Sequence, residues 1–161
     1  MKKIILLGVI AQCFLAFACK EYSVSYLNAK NLNYPLNYME IVQGLTEEDM
    51  YVPGTDKKPS KYKSRIENKA PWLSKPFWGG TVEGSRPLAF EISEVKLKGE
   101  KANAQKLIEN VSFMGEGIFI VPFKNDIPLG EYLISLKISN IAGSEIVKDC
   151  FTIIVTDKKE W

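Results

Sequence analysis

The clearest pattern of apolar and polar positions lies in the last third of the chain. Residues 132–139 and residues 151–155 each place apolar side chains at every second position. A period of two is typical of a strand that buries one face, and the segment between the runs carries the Asn and Gly that tight turns favour. The pattern predicts a long antiparallel hairpin with these inward residues: Tyr132, Ile134, Leu136, Ile138, Phe151, Ile153 and Val155.

Three further strands are predicted upstream, at residues 34–44, 88–92 and 118–123. After residue 92 the apolar positions change parity, which indicates a β-bulge near Ser93. Residues 107–113 predict a weaker strand or a turn, and no helix is required. The residues expected to face inward in the first two strands are Leu36, Tyr38, Ile41, Leu88, Phe90 and Ile92.

Tyr132 directly follows a turn at residues 125–130, at the start of the predicted hairpin. A tyrosine in this place often returns its hydroxyl to a backbone carbonyl a few residues upstream, which is the tyrosine corner of β-sandwiches. The strands and their turns together predict an all-β domain, an antiparallel β-sandwich, over residues 34–157.

A charged insert at about residues 46–70 interrupts the strand pattern. It begins with acidic residues 47–49, continues with lysines and an arginine, and contains few aliphatic residues. It is too long for an ordinary hairpin connection, so we expect either a mobile insert or a functional loop. It contains neither a phosphate-binding glycine motif nor the spaced oxygen ligands of a calcium loop.

The aromatic segment that follows, residues 71–87, supplies the candidate ligand-binding residues Trp72, Phe77 and Trp78. Exposed aromatic rings stack on sugar rings and also anchor protein interfaces. The alternative is that Trp72 and Phe77 fold back to cap the end of the sandwich, since large aromatic side chains bury much apolar area. For Trp78, beside two glycines, exposure and burial both remain open.

Composition and charge exclude several classes of function. The net charge of +2 comes entirely from Lys2 and Lys3. The rest of the chain has equal numbers of basic and acidic residues, so its charge gives no argument for a nucleic-acid-binding surface. The sequence has no histidine, which excludes a Ser-His-Asp triad and histidine-ligated zinc. We therefore expect no catalytic residues, no metal site and no cofactor in a chain of single-domain size.

The N-terminus predicts export. Two lysines and an apolar stretch to residue 18 form a signal peptide that is too short to remain as a membrane span. The sequence Leu15-Ala16-Phe17-Ala18-Cys19 resembles a bacterial lipobox, so we expect acylation of Cys19, with palmitate or a similar chain, and a polar tether at residues 19–33. In the alternative, an ordinary secretory signal ends near a coincidental Cys19. If Cys13 leaves with the signal peptide and Cys19 is acylated, Cys150 is the one remaining free cysteine, and we expect it to be a small, partly buried residue.

The turn and strand sequences also carry a resemblance to a known family. The segments Pro87-Leu88-Ala89-Phe90-Glu91-Ile92, Leu129-Gly130-Glu131-Tyr132 and Asn140-Ile141-Ala142-Gly143 resemble those of the immunoglobulin-like or cadherin-like module of Bacteroidetes surface lipoproteins, over about residues 34–157. The pair Lys20-Glu21 after the cysteine resembles their surface-export signals. The resemblance implies an immunoglobulin-like sandwich on the outer membrane, in proteins tied to polysaccharide capture.

We therefore expect a noncatalytic lipoprotein, anchored through Cys19 to the outer membrane at the cell surface. Its partner would be a polysaccharide or an outer-membrane protein, bound through the loops of the sandwich. Two alternatives are a structural spacer or assembly subunit of an outer-membrane complex, and a fimbrial or adhesin-type subunit that polymerises through an exposed strand.

Overall fold

The computed structural model describes residues 25–99 and 102–161. The signal peptide at residues 1–18, the lipidation site Cys19 and the pair Lys20-Glu21 lie outside the described residues. In the described ranges, no helix has the length and apolar character needed to cross a membrane.

The described chain forms strands and a few short helices. The strands are β1 Leu27–Asn28, β2 Tyr38–Val42, β3 Trp72–Leu73, β4 Glu83–Gly84, β5 Ala89–Lys98, β6 Ser112–Met114, β7 Ile118–Val121, β8 Gly130–Asn140 and β9 Gly143–Thr156. The helices are a 3-10 helix at Glu47–Met50, α1 at Lys63–Asn68 and α2 at Ala104–Asn110. Strands predominate, so the predicted β-rich class is confirmed.

The strands form two larger sheets and one small pair. The four-stranded sheet has the order β2-β9-β8-β5, in which β2 runs parallel to β9 and the other pairs are antiparallel. The three-stranded sheet has the order β3-β7-β6 and is antiparallel. β1 pairs only with β4.

The core lies where the two larger sheets meet. All seven inward residues predicted for the hairpin are buried, and β8 pairs with β9 as that prediction requires. Phe119 of the three-stranded sheet stacks on Phe151 of the four-stranded sheet, with ring centroids 4.4 Å apart. The long hairpin is therefore confirmed as the centre of the fold.

Two finer predictions are also confirmed. The Tyr132 hydroxyl donates a hydrogen bond of 2.7 Å to the carbonyl oxygen of Pro128, which is the geometry of a tyrosine corner. The pairing of β5 with β8 shifts register between Ile92 and Glu94, which is the predicted bulge. The Ser93 hydroxyl there donates to the carbonyl oxygen of Ser135 at 3.0 Å.

The facing predicted for the first strand is wrong for Leu36 and Tyr38, which are each 44% exposed. Ile41 is buried as predicted, and Met39, which was not predicted to face inward, is also buried. The parallel pairing explains the change, because Met39 lies opposite Ile153 and Ile41 lies opposite Val155, and paired residues share a face. The residues predicted to face inward in the second strand, Leu88, Phe90 and Ile92, are only half-buried, because Leu88 precedes β5 and β5 is an edge strand.

Residues 107–113 were expected to form a weak strand or a turn, which is wrong for most of the segment. Helix α2 occupies Ala104–Asn110, and strand β6 follows. The side chain of Asn103 caps the helix by accepting a hydrogen bond from the backbone of Lys106, and Leu107 is fully buried. Leu107 is the one buried residue of this short helix, so the sequence shows no repeat of apolar positions from which the helix could be predicted.

The described part of the expected tether, residues 25–33, packs against the domain. Leu27 and Asn28 pair with β4, and Ala29 is fully buried. The backbone N–H of Ala29 donates to the carboxylate of Glu145 at 2.8 Å. Residues 25–33 therefore belong to the folded domain, because strand pairing and burial replace the solvation that the polar composition suggested.

Candidate functional site

The structure separates the three candidate ligand-binding residues of the aromatic segment. Trp72 is 8% exposed and Phe77 is 3% exposed, whereas Trp78 is 55% exposed. The alternative that Trp72 and Phe77 fold back on the domain is therefore confirmed. The three rings do not form one binding platform.

Phe77 is a core residue. Its ring makes an edge contact with Tyr34 at 6.3 Å between centroids and a tilted contact with Phe90 at 5.9 Å. It also lies close to Gly117, where an added Cβ would come within 3.1 Å of the ring. The packing holds the end of the two sheets together and leaves Phe77 almost no surface for a ligand.

Trp78 is held at the surface by its backbone. Its N–H donates to the carbonyl oxygen of Asn33 at 2.8 Å, and its own carbonyl accepts from the Thr81 hydroxyl at 2.7 Å. Neither Gly79 nor Gly80 has a neighbour within 4 Å of the position of a Cβ. The ring of Trp78 is thus presented to solvent on an ordered turn.

The charged insert is folded rather than extended. Tyr62 and Ile66 are buried, and the Ser60 hydroxyl donates to the carbonyl oxygen of Asp49 at 2.5 Å. The C-terminal residues hold the insert from outside: the Lys159 ammonium contacts the Asp49 carboxylate at 2.8 Å. The backbone N–H of Glu160 also donates to the Tyr62 hydroxyl at 3.1 Å.

The hydrogen bonds at Asp49 outweigh its burial. Burial acts to raise the pKa of this carboxyl, but the hydrogen bond from Lys159 and the bonds from the backbone and hydroxyl of Thr46 lower the pKa below its ordinary value overall. The ionised carboxylate therefore stabilises the closed insert.

A cleft lies between the folded insert and the strands. It has a volume of about 240 Å³, and its walls come from β2, from β3 and from the insert. The lining residues are Glu40, Val42, Lys61, Tyr62, Arg65 and Trp72. We name this feature the insert cleft. Its walls combine aromatic rings with side chains of both charges.

Arg65 covers the ring of Trp72. The guanidinium carbon lies 4.0 Å from the ring centroid, which is a close cation–π contact. The Nη1 group donates to the carbonyl oxygens of Ala70, at 3.1 Å, and of Pro71. Burial lowers the pKa of Arg65 from its ordinary value. A partly desolvated guanidinium in such a place gains from contact with a ligand's oxygen atoms.

The indole N–H of Trp72 has no hydrogen-bond partner among the described groups, although the nitrogen is buried. A buried donor without an acceptor carries a desolvation cost of about 1–3 kcal/mol. Most such donors in proteins are paired with protein groups or water. The residue that bears this unused donor also lines the insert cleft, together with two cationic side chains, Arg65 and Lys61.

Other chemistry in the described residues is limited. No group of three or more His, Cys, Asp or Glu side chains in the described ranges is placed to hold a metal ion. Burial raises the pKa of the Cys150 thiol to about 11, and its Sγ lies 3.6 Å from the carbonyl oxygen of Ile134. The thiol is therefore protonated at neutral pH and packs as a partly buried side chain.

Sequence reasoning identified Trp72 but missed its neighbours in the cleft. Lys61, Tyr62 and Arg65 belong to the insert, which was expected to be either a mobile segment or a functional loop. The spacing of Tyr62 and Ile66, four residues apart, is the one local sign that a short helix buries a face here. The position of Glu40 in the cleft could be predicted only with knowledge of the parallel pairing of β2 with β9.

Comparison with known proteins adds no relative. A scan against family models, a search of curated proteins and a search of solved structures each found no match to this chain.

Proposed function

We propose that the two larger sheets form an immunoglobulin-like sandwich. The order of the four-stranded sheet corresponds to strands A′, G, F and C of such domains, and β3-β7-β6 corresponds to B, E and D. The tyrosine corner at Tyr132 and the stacked pair Phe119–Phe151 across the sheets support this assignment. In this arrangement the charged insert is an elaborated connection between the first and second core strands.

We further propose that the protein is a noncatalytic lipoprotein, anchored through Cys19 at the outer membrane with the folded domain at the cell surface. The lipobox-like sequence before Cys19 supports the anchor. The domain begins at once after it, since residues from Leu27 onward already pair in a strand. Mass spectrometry of the N-terminal peptide from the native host tests this part: a diacylated or triacylated Cys19 is expected, and an unmodified N-terminus contradicts it.

The domain binds carbohydrate in the insert cleft. The single observation that carries this proposal is a cleft in which the cationic donors Arg65 and Lys61 lie beside aromatic rings, with the Arg65 guanidinium over Trp72. Sugars offer hydroxyl and, in uronic acids, carboxylate oxygens that accept hydrogen bonds from such donors. Glu40, which also lines the cleft, can accept a hydrogen bond from a sugar hydroxyl. The ligand class that fits best is a hydroxyl-rich glycan with acidic residues.

Affinity electrophoresis against neutral and uronate-containing polysaccharides tests the proposal. The chain from residue 20 onward is compared with Trp72→Phe, which removes the N–H but keeps a buried ring, and with the matched control Trp78→Phe. We expect an acidic polysaccharide to retard the parent and the control, and to retard Trp72→Phe less. Retardation that is lost only in the control would assign binding to the Trp78 turn and overturn the cleft proposal.

A second candidate function, assembly with a protein partner, is favoured by one observation. An apolar groove of about 330 Å³ lies between the edge strands β5 and β6 and is lined by Phe90, Glu91, Ile92, Ile108, Val111 and Phe113. Ile108 is 42% exposed beside it. Co-purification of a stoichiometric partner that Ile108→Asp releases would favour assembly, and a monomer without partners would count against it.

A further inference from the structure

The turn of the long hairpin carries apolar side chains that are exposed to solvent and are not packed in the core. Ile141 is 84% exposed, and it is followed by Ala142 and Gly143, so the turn has no charge. The turn is already stabilised by Asn140, whose side-chain oxygen accepts a hydrogen bond of 2.8 Å from the N–H of Ala142. Polar residues are the usual occupants of such turns.

Tyr26 lies against the same end of the hairpin. Its carbonyl oxygen accepts a hydrogen bond of 2.8 Å from the Asn140 side chain. Tyr26 as a whole is 53% exposed. Ile146, the third residue after the turn, is 61% exposed and is paired with Lys137. We name the three exposed residues Tyr26, Ile141 and Ile146 the tip patch. Aliphatic and tyrosine side chains together are the composition that membrane interfaces favour.

The described chain begins at this end of the domain, next to Tyr26. Six residue steps separate Cys19 from Ser25, the first described residue. At roughly 3.5 Å per extended residue, these steps span at most about 20 Å. An acyl chain on Cys19 therefore keeps Ser25, the neighbour of Tyr26 in the tip patch, within about 20 Å of the lipid surface, whatever path the intervening residues take.

We propose that the tip patch rests on the lipid bilayer and orients the domain. This inference rests on the proposed acylation of Cys19. Ile141 enters the interfacial region of the membrane, with Tyr26 at the level of the headgroups. The insert cleft then faces away from the membrane, because Glu40 pairs with Ile154, roughly 30 Å along β9 from the hairpin turn.

Vesicle sedimentation tests the inference with a synthetic anchor. The chain from residue 19 onward, carrying Cys150→Ser, receives a single acyl chain on Cys19, which alone gives only marginal and reversible binding. It is mixed with vesicles of phosphatidylethanolamine and phosphatidylglycerol. We expect Ile141→Asp to weaken partition about tenfold, as expected for losing the burial of one aliphatic side chain. The matched control is Leu73→Asp, at a residue 50% exposed on β3, and it should partition like the parent.

Equal partition of the parent and Ile141→Asp would overturn the inference, as would equal weakening by Ile141→Asp and Leu73→Asp. Because Ile141 is an exposed turn residue, Ile141→Asp is expected to fold, and circular dichroism verifies this. Since the acyl chain is supplied chemically, the result does not depend on whether cells acylate Cys19. A failure of the proposed anchor appears only in the mass of the N-terminal peptide and is thereby distinguished from a failure of the tip patch.

Discussion

Trp72 and Trp78 lie six residues apart in one aromatic segment, yet the fold gives them opposite surroundings. Trp72 pairs in β3 beneath the guanidinium of Arg65, whereas Trp78 projects from a turn beside two glycines. The difference arises from the insert, because the residue that covers Trp72 comes from helix α1. An aromatic side chain at the surface of a sheet becomes a wall of a cleft only where another segment folds over it.

The largest expected effect is on stability. Trp72→Ala should reduce the free energy of unfolding by about 3–5 kcal/mol, because it removes a large buried ring and leaves a cavity. Trp78→Ala should change it by about 0.5 kcal/mol or less, as is usual for an exposed position. Urea denaturation of both variants measures the difference. Similar losses at the two positions would mean that the burial difference between them is wrong.

Removal of the Arg65 side chain, which covers Trp72, should reduce the free energy of unfolding by less than removal of Trp72 does. Arg65→Ala loses the cation–π contact and the hydrogen bonds to the carbonyl oxygens of Ala70 and Pro71, which together contribute about 1–2 kcal/mol. Lys63→Ala on the same helix loses a surface ion pair with Glu67 and a cation–π contact with the ring of Tyr51, for which together we expect about 0.5–1 kcal/mol. Denaturation curves should separate the two variants, and a larger loss for Lys63→Ala would contradict the role of Arg65.

Acid should open the insert before it unfolds the rest of the domain. The folded pKa of Asp49 is lowered, so its stabilising contribution is complete above the ordinary aspartate value, near pH 4, and is lost as the pH falls through the folded pKa. Tryptophan fluorescence and urea midpoints between about pH 7 and pH 3 compare the parent with Asp49→Asn and with the exposed control Asp56→Asn.

The stability advantage of the parent over Asp49→Asn should shrink at the acid end of this range. The Asp56→Asn control should follow the parent at every pH. An advantage that stays constant throughout the range would show that the ion pair between Asp49 and Lys159 does not hold the insert closed.

The central hairpin could be predicted from the sequence because its signals are local. Alternation from Tyr132 to Ile138, the turn at Asn140 and the tyrosine corner each depend on neighbouring residues. The bulge near Ser93 was predictable for the same reason, since a change of parity is visible in the sequence.

The candidate site could not be predicted in the same way because its contacts join distant parts of the chain. Arg65 meets Trp72 only after the insert folds, and the insert is held by Lys159 from the C-terminal end. The inward facing predicted for Leu36 and Tyr38 was wrong because the facing of β2 is set by a parallel partner strand more than a hundred residues away. Helix α2 was missed because one buried residue, Leu107, provides no period.

The most direct test of the insert cleft is an NMR titration of the indole N–H signals, which are three in number because the chain has three tryptophans. The Phe variants at residues 72 and 78 assign the signals. With an acidic polysaccharide that retards the protein, we predict that the Trp72 signal shifts because the ligand contacts Arg65 over its ring, while the Trp78 signal stays in place. Movement of the Trp78 signal with an unchanged Trp72 signal would contradict the account.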